Sequence, residues 1–202
     1  GYSFIGLYNN SPFAALKEFF PDYDWKEWLF GKTPGGLWEC PKNRRRYMEW
    51  LGRELGYKAP EDWYKISKSK IERYNGDRLL KFFNFSPVNL VMDFFPDYDW
   101  KEWLFLKLPT DFWTCPKNRH RYMEWLGKEL KYKEPEDWYE VTVRLFNKYR
   151  GGSLLQFKKS IALTVIEFLP NFNWKIEKFT ERVKMQKKMF RMNSVRWIVV
   201  IC

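Results

Sequence analysis

Apolar side chains recur along this chain at intervals of three and four, and short runs of Pro, Gly and Ser separate them. Phe13, Leu16, Phe19 and Phe20 follow Ser11-Pro12 at helical spacing. Serine suits an N-cap and proline suits a first turn, so a helix is predicted over 12–20, ended by Pro21. In the stretch 21–30, Trp25, Trp28 and Phe30 follow no single period. It is predicted to cap the helix and lay aromatics over a core. Three glycines, a proline and a threonine make 31–36 a loop.

The clearest helix is predicted over 41–56, where Tyr47, Leu51 and Leu55 run i, i+4, i+8 and Met48 and Trp50 widen the stripe. Arg45, Arg46, Glu49 and Arg53 fall on the other face, with Glu49 four residues from Arg45 and from Arg53. Gly56 suits the C-terminal cap. Pro60-Glu61-Asp62-Trp63-Tyr64 opens another helix, its carboxylates at the positive end of the helix dipole. Ser67 is placed to cap a short helix over 68–74, and Gly76 marks a turn before Leu79-Leu80. No convincing strand alternation occurs, so the fold class expected is all-α.

The pattern then repeats. Residues 21–30 return letter for letter as 96–105, Trp38 to Gly52 match Trp113 to Gly127, and Pro60 to Tyr64 match Pro135 to Tyr139, all at an offset of 75. A fixed period sets architecture before any single residue is read. The predicted organisation is a tandem helical array: a first copy over 1–75, a second over 76–150, the start of a degenerate third over 151–174, and a basic amphipathic segment over 175–202. Lys131 takes the place of Gly56, and Thr142 that of Ser67. Stacked neighbours are expected to complete each other's cores.

These motifs also resemble something known. Gly-Gly-x-Leu-Leu, Phe-Pro-x-Tyr-x-Trp, Trp-x-Cys-Pro-x-Asn-Arg-Arg-x-Tyr, Trp-Leu-Gly and Pro-Glu-Asp-Trp-Tyr, taken as a set over 1–174, resemble an aromatic-rich tandem repeat. That repeat occurs in large uncharacterised proteins of microbial eukaryotes and large DNA viruses. The resemblance implies a helical array and no activity, and the third copy departs from it after Trp174.

Composition changes the picture in two ways. Aromatics make up 21% of the 202 residues, twelve of them Trp, enough for small modules to bury a core. The net charge of +11 is uneven. Residues 1–75 carry 13 basic and 10 acidic groups, 76–150 carry 13 and 12, and 151–202 carry 10 and 3. The last quarter therefore supplies most of the basicity. Three cysteines, two of them the same position in two copies, are expected to be reduced. No signal sequence or run of about 18 apolar residues is seen. The location expected is intracellular, nucleus or organelle included.

Candidate chemistry is sparse. Asp22, Asp24 and Glu27 lack the spacing of a calcium loop and are expected to cap or to face solvent. His120 is the single histidine, and Arg45 stands at its place in the first copy. No catalytic, metal or cofactor site is expected. Lys42, Arg44, Arg45 and Arg46, with Lys117, Arg119 and Arg121, cluster at helix starts, where cations oppose the dipole by about 0.3–1 kcal/mol each. Lys184, Lys187, Lys188 and Arg191 lie in the basic tail. These residues are the candidates for phosphate contact, with Trp38 and Trp113 as stacking platforms if exposed. The other reading of the cations is a solvated face, and that of the tryptophans is core packing. The leading expectation is a non-enzymatic nucleic-acid-binding module, RNA or DNA. The alternatives are an adaptor docking into a larger protein or ribonucleoprotein assembly, a tail meeting an acidic protein or a membrane surface, and, weakest, glycan binding.

Overall fold

A computed structural model describes residues 4–31 and 33–179. Among these residues every regular element is helical and no strand occurs. The chain separates into two compact units, one reaching to Leu108 and the other starting at Pro109. Lys184, Lys187, Lys188 and Arg191 lie outside the described residues.

In the first unit, a 3-10 turn over Phe4–Tyr8 leads into α1, Pro12–Phe19. The Ser11 hydroxyl accepts from the Ala14 N–H at 3.2 Å, the N-cap that its position implied. A 3-10 turn over Glu27–Leu29 carries Trp28 into the core, and α2, Pro41–Glu54, packs its Tyr47, Met48, Trp50 and Leu51 face against it. The turn over Pro60–Lys65 is a 3-10 helix and not α-helical. After it come α3, Lys68–Arg73, α4, Asp77–Phe82, and α5, Pro87–Phe94. The Ser67 hydroxyl caps α3 by accepting from the Lys70 N–H at 3.2 Å.

α2 ends in a left-handed cap, with Gly56 at φ +68°. The Gly56 N–H donates to the Arg53 carbonyl at 3.0 Å and the Tyr57 N–H to that of Gly52 at 2.8 Å, a Schellman pair. The core of this unit is largely aromatic. Trp28 lies parallel to Trp38 at 6.3 Å, and Tyr47 meets both edge-on at 5.4 and 5.3 Å. Aliphatic Ile71, Leu79, Leu80 and Leu90 fill between the rings.

In the second unit, α6, Pro116–Leu130, is followed by a 3-10 turn over Pro135–Glu140 and by α7, Val143–Lys148. α8, Gly152–Lys158, and α9, Ile161–Phe168, follow. Lys131 adopts φ +58° where Gly56 had +68°, and the two capping hydrogen bonds are kept. The motif therefore outweighs the steric cost of a side chain there, about 1–2 kcal/mol. Tyr122, Met123, Leu126, Phe146, Leu154 and Val165 are fully buried.

Candidate functional site

The cations expected to meet phosphate begin α2 and α6, and the structure places several of them elsewhere in the energetics. Arg44 Nη1 donates to the carbonyls of Trp38 at 3.0 Å and Glu39 at 3.1 Å. Its Nε pairs with Asp93 on α5 at 3.3 Å, and its guanidinium lies over the Phe82 ring at 5.0 Å. Only 12% of the side chain is exposed. Arg119 repeats the arrangement, reaching the carbonyls of Trp113 at 2.6 Å and Thr114 at 2.9 Å, and Glu167 on α9 at 3.0 Å. Hydrogen bonding from Arg119, with Lys158 adding to it, holds the Glu167 carboxyl below its ordinary range. Each arginine thus ties the turn before its own helix to a later helix. The planar, multi-donor guanidinium suits that work better than an ammonium would.

Arg46 is similarly engaged. It donates to both oxygens of Glu27 at 3.1 and 3.2 Å, to Asp24 at 2.8 Å and to the Trp25 carbonyl at 3.1 Å. Glu27 is buried, which corrects the expectation of a capping or solvated role: the 3-10 turn carries its carboxylate inward to the Arg46 guanidinium. Arg121, at the same place in the second copy, is half-buried. Lys42, Arg45 and Lys117 are exposed, Arg45 pairing with Glu49 one turn on at 3.1 Å.

Trp38 and Trp113 are 7% and 5% exposed, so neither ring offers a face for stacking. The reason is local. Asn43 Nδ2 donates to the Leu37 carbonyl at 3.0 Å and Asn118 Nδ2 to that of Phe112 at 2.9 Å. Together with Arg44 and Arg119 they pull the preceding turn against the helix and press the indole inward. Trp113 also donates to the Ser153 hydroxyl at 2.8 Å. In the sequence, the signal for the two asparagines is their fixed place in Trp-x-Cys-Pro-x-Asn-Arg.

A second cluster emerges that sequence reasoning had not singled out. The Asp62 carboxylate accepts from the backbone N–H groups of Lys58 and Ala59 at 3.0 and 3.2 Å and so closes the Pro-Glu-Asp-Trp-Tyr turn. Trp63 then packs over Gly52, whose missing side chain leaves it room: a Cβ there would stand 3.1 Å from the indole. It meets Phe94 and Phe95 at 5.8 and 6.2 Å. Tyr64 enters a socket made by the following copy's Trp100 and Phe105, edge-on at 5.1 and 4.9 Å. Its hydroxyl accepts from the Lys101 N–H at 2.9 Å. Beside it, the Tyr98 hydroxyl donates to Glu61 at 2.6 Å.

The second unit has the same device. Tyr139 stands against Trp174 at 5.2 Å and Phe179 at 4.8 Å, and its hydroxyl accepts from the Lys175 N–H at 2.8 Å. In each socket the tryptophan is held by a bond from its own indole N–H, Trp100 to the Phe95 carbonyl and Trp174 to the Leu169 carbonyl. In both, a tyrosine at the end of an acidic turn is seated between a tryptophan and a phenylalanine.

Among the described residues, no group of three or more His, Cys, Asp or Glu side chains could hold a metal ion, and no helix is long and apolar enough to cross a membrane. No protein-family model, curated protein or solved structure matches the chain.

Proposed function

We propose that this chain is a non-enzymatic adaptor: a tandem array of helical copies of about 75 residues, two near-complete and one partial, that works through protein contacts. The reading retains the resemblance to aromatic-rich tandem repeats. One observation carries it. The contact that joins a copy to the one after it is an aromatic turn-and-socket, made by Tyr64 and again by Tyr139. Arg44 and Arg119, 12% and 11% exposed, are meanwhile engaged by carboxylates and main-chain carbonyls.

Affinity capture at low and at high salt, before and after nuclease digestion, tests it. An adaptor keeps its protein partner through both treatments, because apolar burial is little affected by screening.

A second reading is favoured by charge. Residues 151–202 carry 10 basic against 3 acidic groups, and their tail holds Lys184, Lys187, Lys188 and Arg191. In that reading the tail lies on RNA or DNA phosphates, and binding falls steeply with salt. Material lost on nuclease treatment or at high salt would favour this reading over the first.

A further inference from the structure

Three copies of the tyrosine socket are built, and two of them hold a tyrosine of this chain. The remaining one, first along the chain, is formed by Trp25 and Phe30. Its tryptophan is held as in the others, the Trp25 indole N–H donating to the Phe20 carbonyl at 3.1 Å as Trp100 does to Phe95 at 3.1 Å, although Trp25 meets Phe30 at 6.0 Å and 61° where Trp100 meets Phe105 at 5.3 Å and 42°. Tyr23 leans on Trp25 at 4.4 Å and 55°, as Tyr98 leans on Trp100 at 4.4 Å and 54°.

What differs is the occupant. Trp100 and Phe105 are 3% and 4% exposed, whereas Trp25 and Phe30 are only half-buried. Tyr23 and Leu29 are 65% and 52% exposed, whereas Tyr98 and Leu104 are half-buried. A cleft of about 500 Å³ opens between these side chains. Lys101 and Lys175 each donate a backbone N–H to a tyrosine hydroxyl, but the Lys26 N–H donates to no protein group among the described residues. Phe4 and Tyr8 lie against Phe19, so the part of the groove that would take a tryptophan is partly covered. The tyrosine-accepting part is open.

We propose that the Trp25–Phe30 socket binds the Pro-Glu-Asp-Trp-Tyr turn of a further repeat of the same kind, distinct from the two turns that carry Tyr64 and Tyr139. The two filled sockets specify the chemistry of the occupant. Its tyrosine ring sits edge-on to Trp25 and Phe30, and its hydroxyl accepts from the Lys26 N–H. Its glutamate, three residues before that tyrosine, accepts from the Tyr23 hydroxyl as Glu61 does from Tyr98. Phe172 stands at that place in the third socket and has no hydroxyl to offer. The glutamate contact is therefore open to the first socket as it is to the second. A second copy of this chain is a poorer occupant, because Tyr64 and Tyr139 are both seated in its own sockets. The inference rests on the adaptor reading and names the partner's chemistry.

The test is a titration of the isotope-labelled full chain with a synthetic peptide of the sequence of residues 57–74, followed by amide and indole resonances. Saturable shifts at the Lys26 amide and the Trp25 indole are expected. A peptide with Tyr64→Ala should produce neither, and Tyr23→Phe in the protein should weaken binding about three- to tenfold through loss of one charge-assisted hydrogen bond. Since Trp25→Ala removes a ring that also packs locally, the milder Tyr23→Phe serves as the folded control. No shift at about 1 mM peptide, where contacts worth some 4 kcal/mol would register, overturns the proposal. So do shifts centred on Trp100 or Trp174, which would mean displacement of the chain's own turns. Concentration-dependent dimerisation that moves the same Lys26 resonance without peptide would assign the socket to a second copy instead. Salt-resistant capture of a protein by a chain whose Lys26 ignores the peptide would leave the adaptor reading standing without this socket.

Discussion

The hydroxyl of Tyr64 accepts the backbone N–H of Lys101 at 2.9 Å, across 37 residues of sequence. That one bond fixes Tyr64 beside Trp100 and Phe105, and Tyr139 repeats it with Lys175 at 2.8 Å. Tyr64→Phe keeps the ring and deprives a half-buried amide of its acceptor. The expected cost is about 1–2 kcal/mol. Urea denaturation followed by tryptophan fluorescence measures it. Tyr139→Phe should cost a similar amount, and neutrality of both would show that the ring alone holds the socket.

Gly76 and Gly151 lie tightly behind the hydroxyls of Tyr47 and Tyr122. A Cβ added at Gly76 would stand 2.2 Å from the Tyr47 oxygen, and one at Gly151 would stand 2.1 Å from that of Tyr122. Gly76→Ala should destabilise by about 3 kcal/mol, at the upper end of overpacking effects. Adding Tyr47→Phe should recover only part, because Ile71 would still lie 2.5 Å away. A double-mutant cycle on unfolding midpoints reads the coupling.

Arg44 and Arg45 are neighbours in sequence with different work. Arg44 is 12% exposed and holds two carbonyls and a carboxylate, whereas Arg45 is 69% exposed and meets Glu49 and, at 5.8 Å, the Phe94 ring. Arg44→Ala should cost about 2–3 kcal/mol and Arg45→Ala about 0.5 kcal/mol or less. Arg44→Lys should rescue little, since one ammonium cannot span the three acceptors. Equal effects in thermal melts would remove the structural role assigned to Arg44.

Acid should loosen the Pro-Glu-Asp-Trp-Tyr turn. The Lys58 N–H, then the Lys65 ammonium and the Ala59 N–H, hold the Asp62 carboxyl down at about 2. A folded value below the ordinary one of about 3.9 means a contribution fully present above pH 4. It is lost as pH falls through about 2. Asp62→Asn should flatten the decline of the urea midpoint between pH 4 and 2. An Asp62 carbon resonance that titrates at the ordinary value would overturn the assignment.

The compact units part between Leu108 and Pro109, whereas the sequence period counted from the first residue would cut after Asn75. A chain ending at Leu108 keeps Trp100 and Phe105 over Tyr64 and should unfold in one cooperative transition. A chain ending at Asn75 loses that cover and also Leu79, Leu80 and Leu90 from the core, and should show no cooperative transition and bind a dye that reports exposed apolar surface. Coincident melts would show that the copy closes on itself.

The legible part of the site was the motif spacing. Trp-x-Cys-Pro-x-Asn-Arg could be read as a conserved distance between copies, yet the same letters fitted a phosphate grip and a main-chain clamp. A guanidinium is equally suited to phosphate and to carbonyl oxygens, and only the position of the Trp38 and Glu39 carbonyls chooses between them. The tail cations Lys184 to Arg191 lie outside the described residues.

By itself, the sequence determined the local elements. Ser11, Ser67 and Thr142 cap helices because a hydroxyl can reach a free N–H three residues on, a matter of short-range geometry. The helical stripe of Tyr47, Met48 and Leu51 followed from a period of 3.6. Tertiary structure alone decided which tryptophans are core, which arginines are spent, and that Tyr64 belongs to a socket beginning 36 residues later at Trp100. Those outcomes depend on contacts distant in the chain, and a pattern of letters carries no distance between residues it does not place on the same helix.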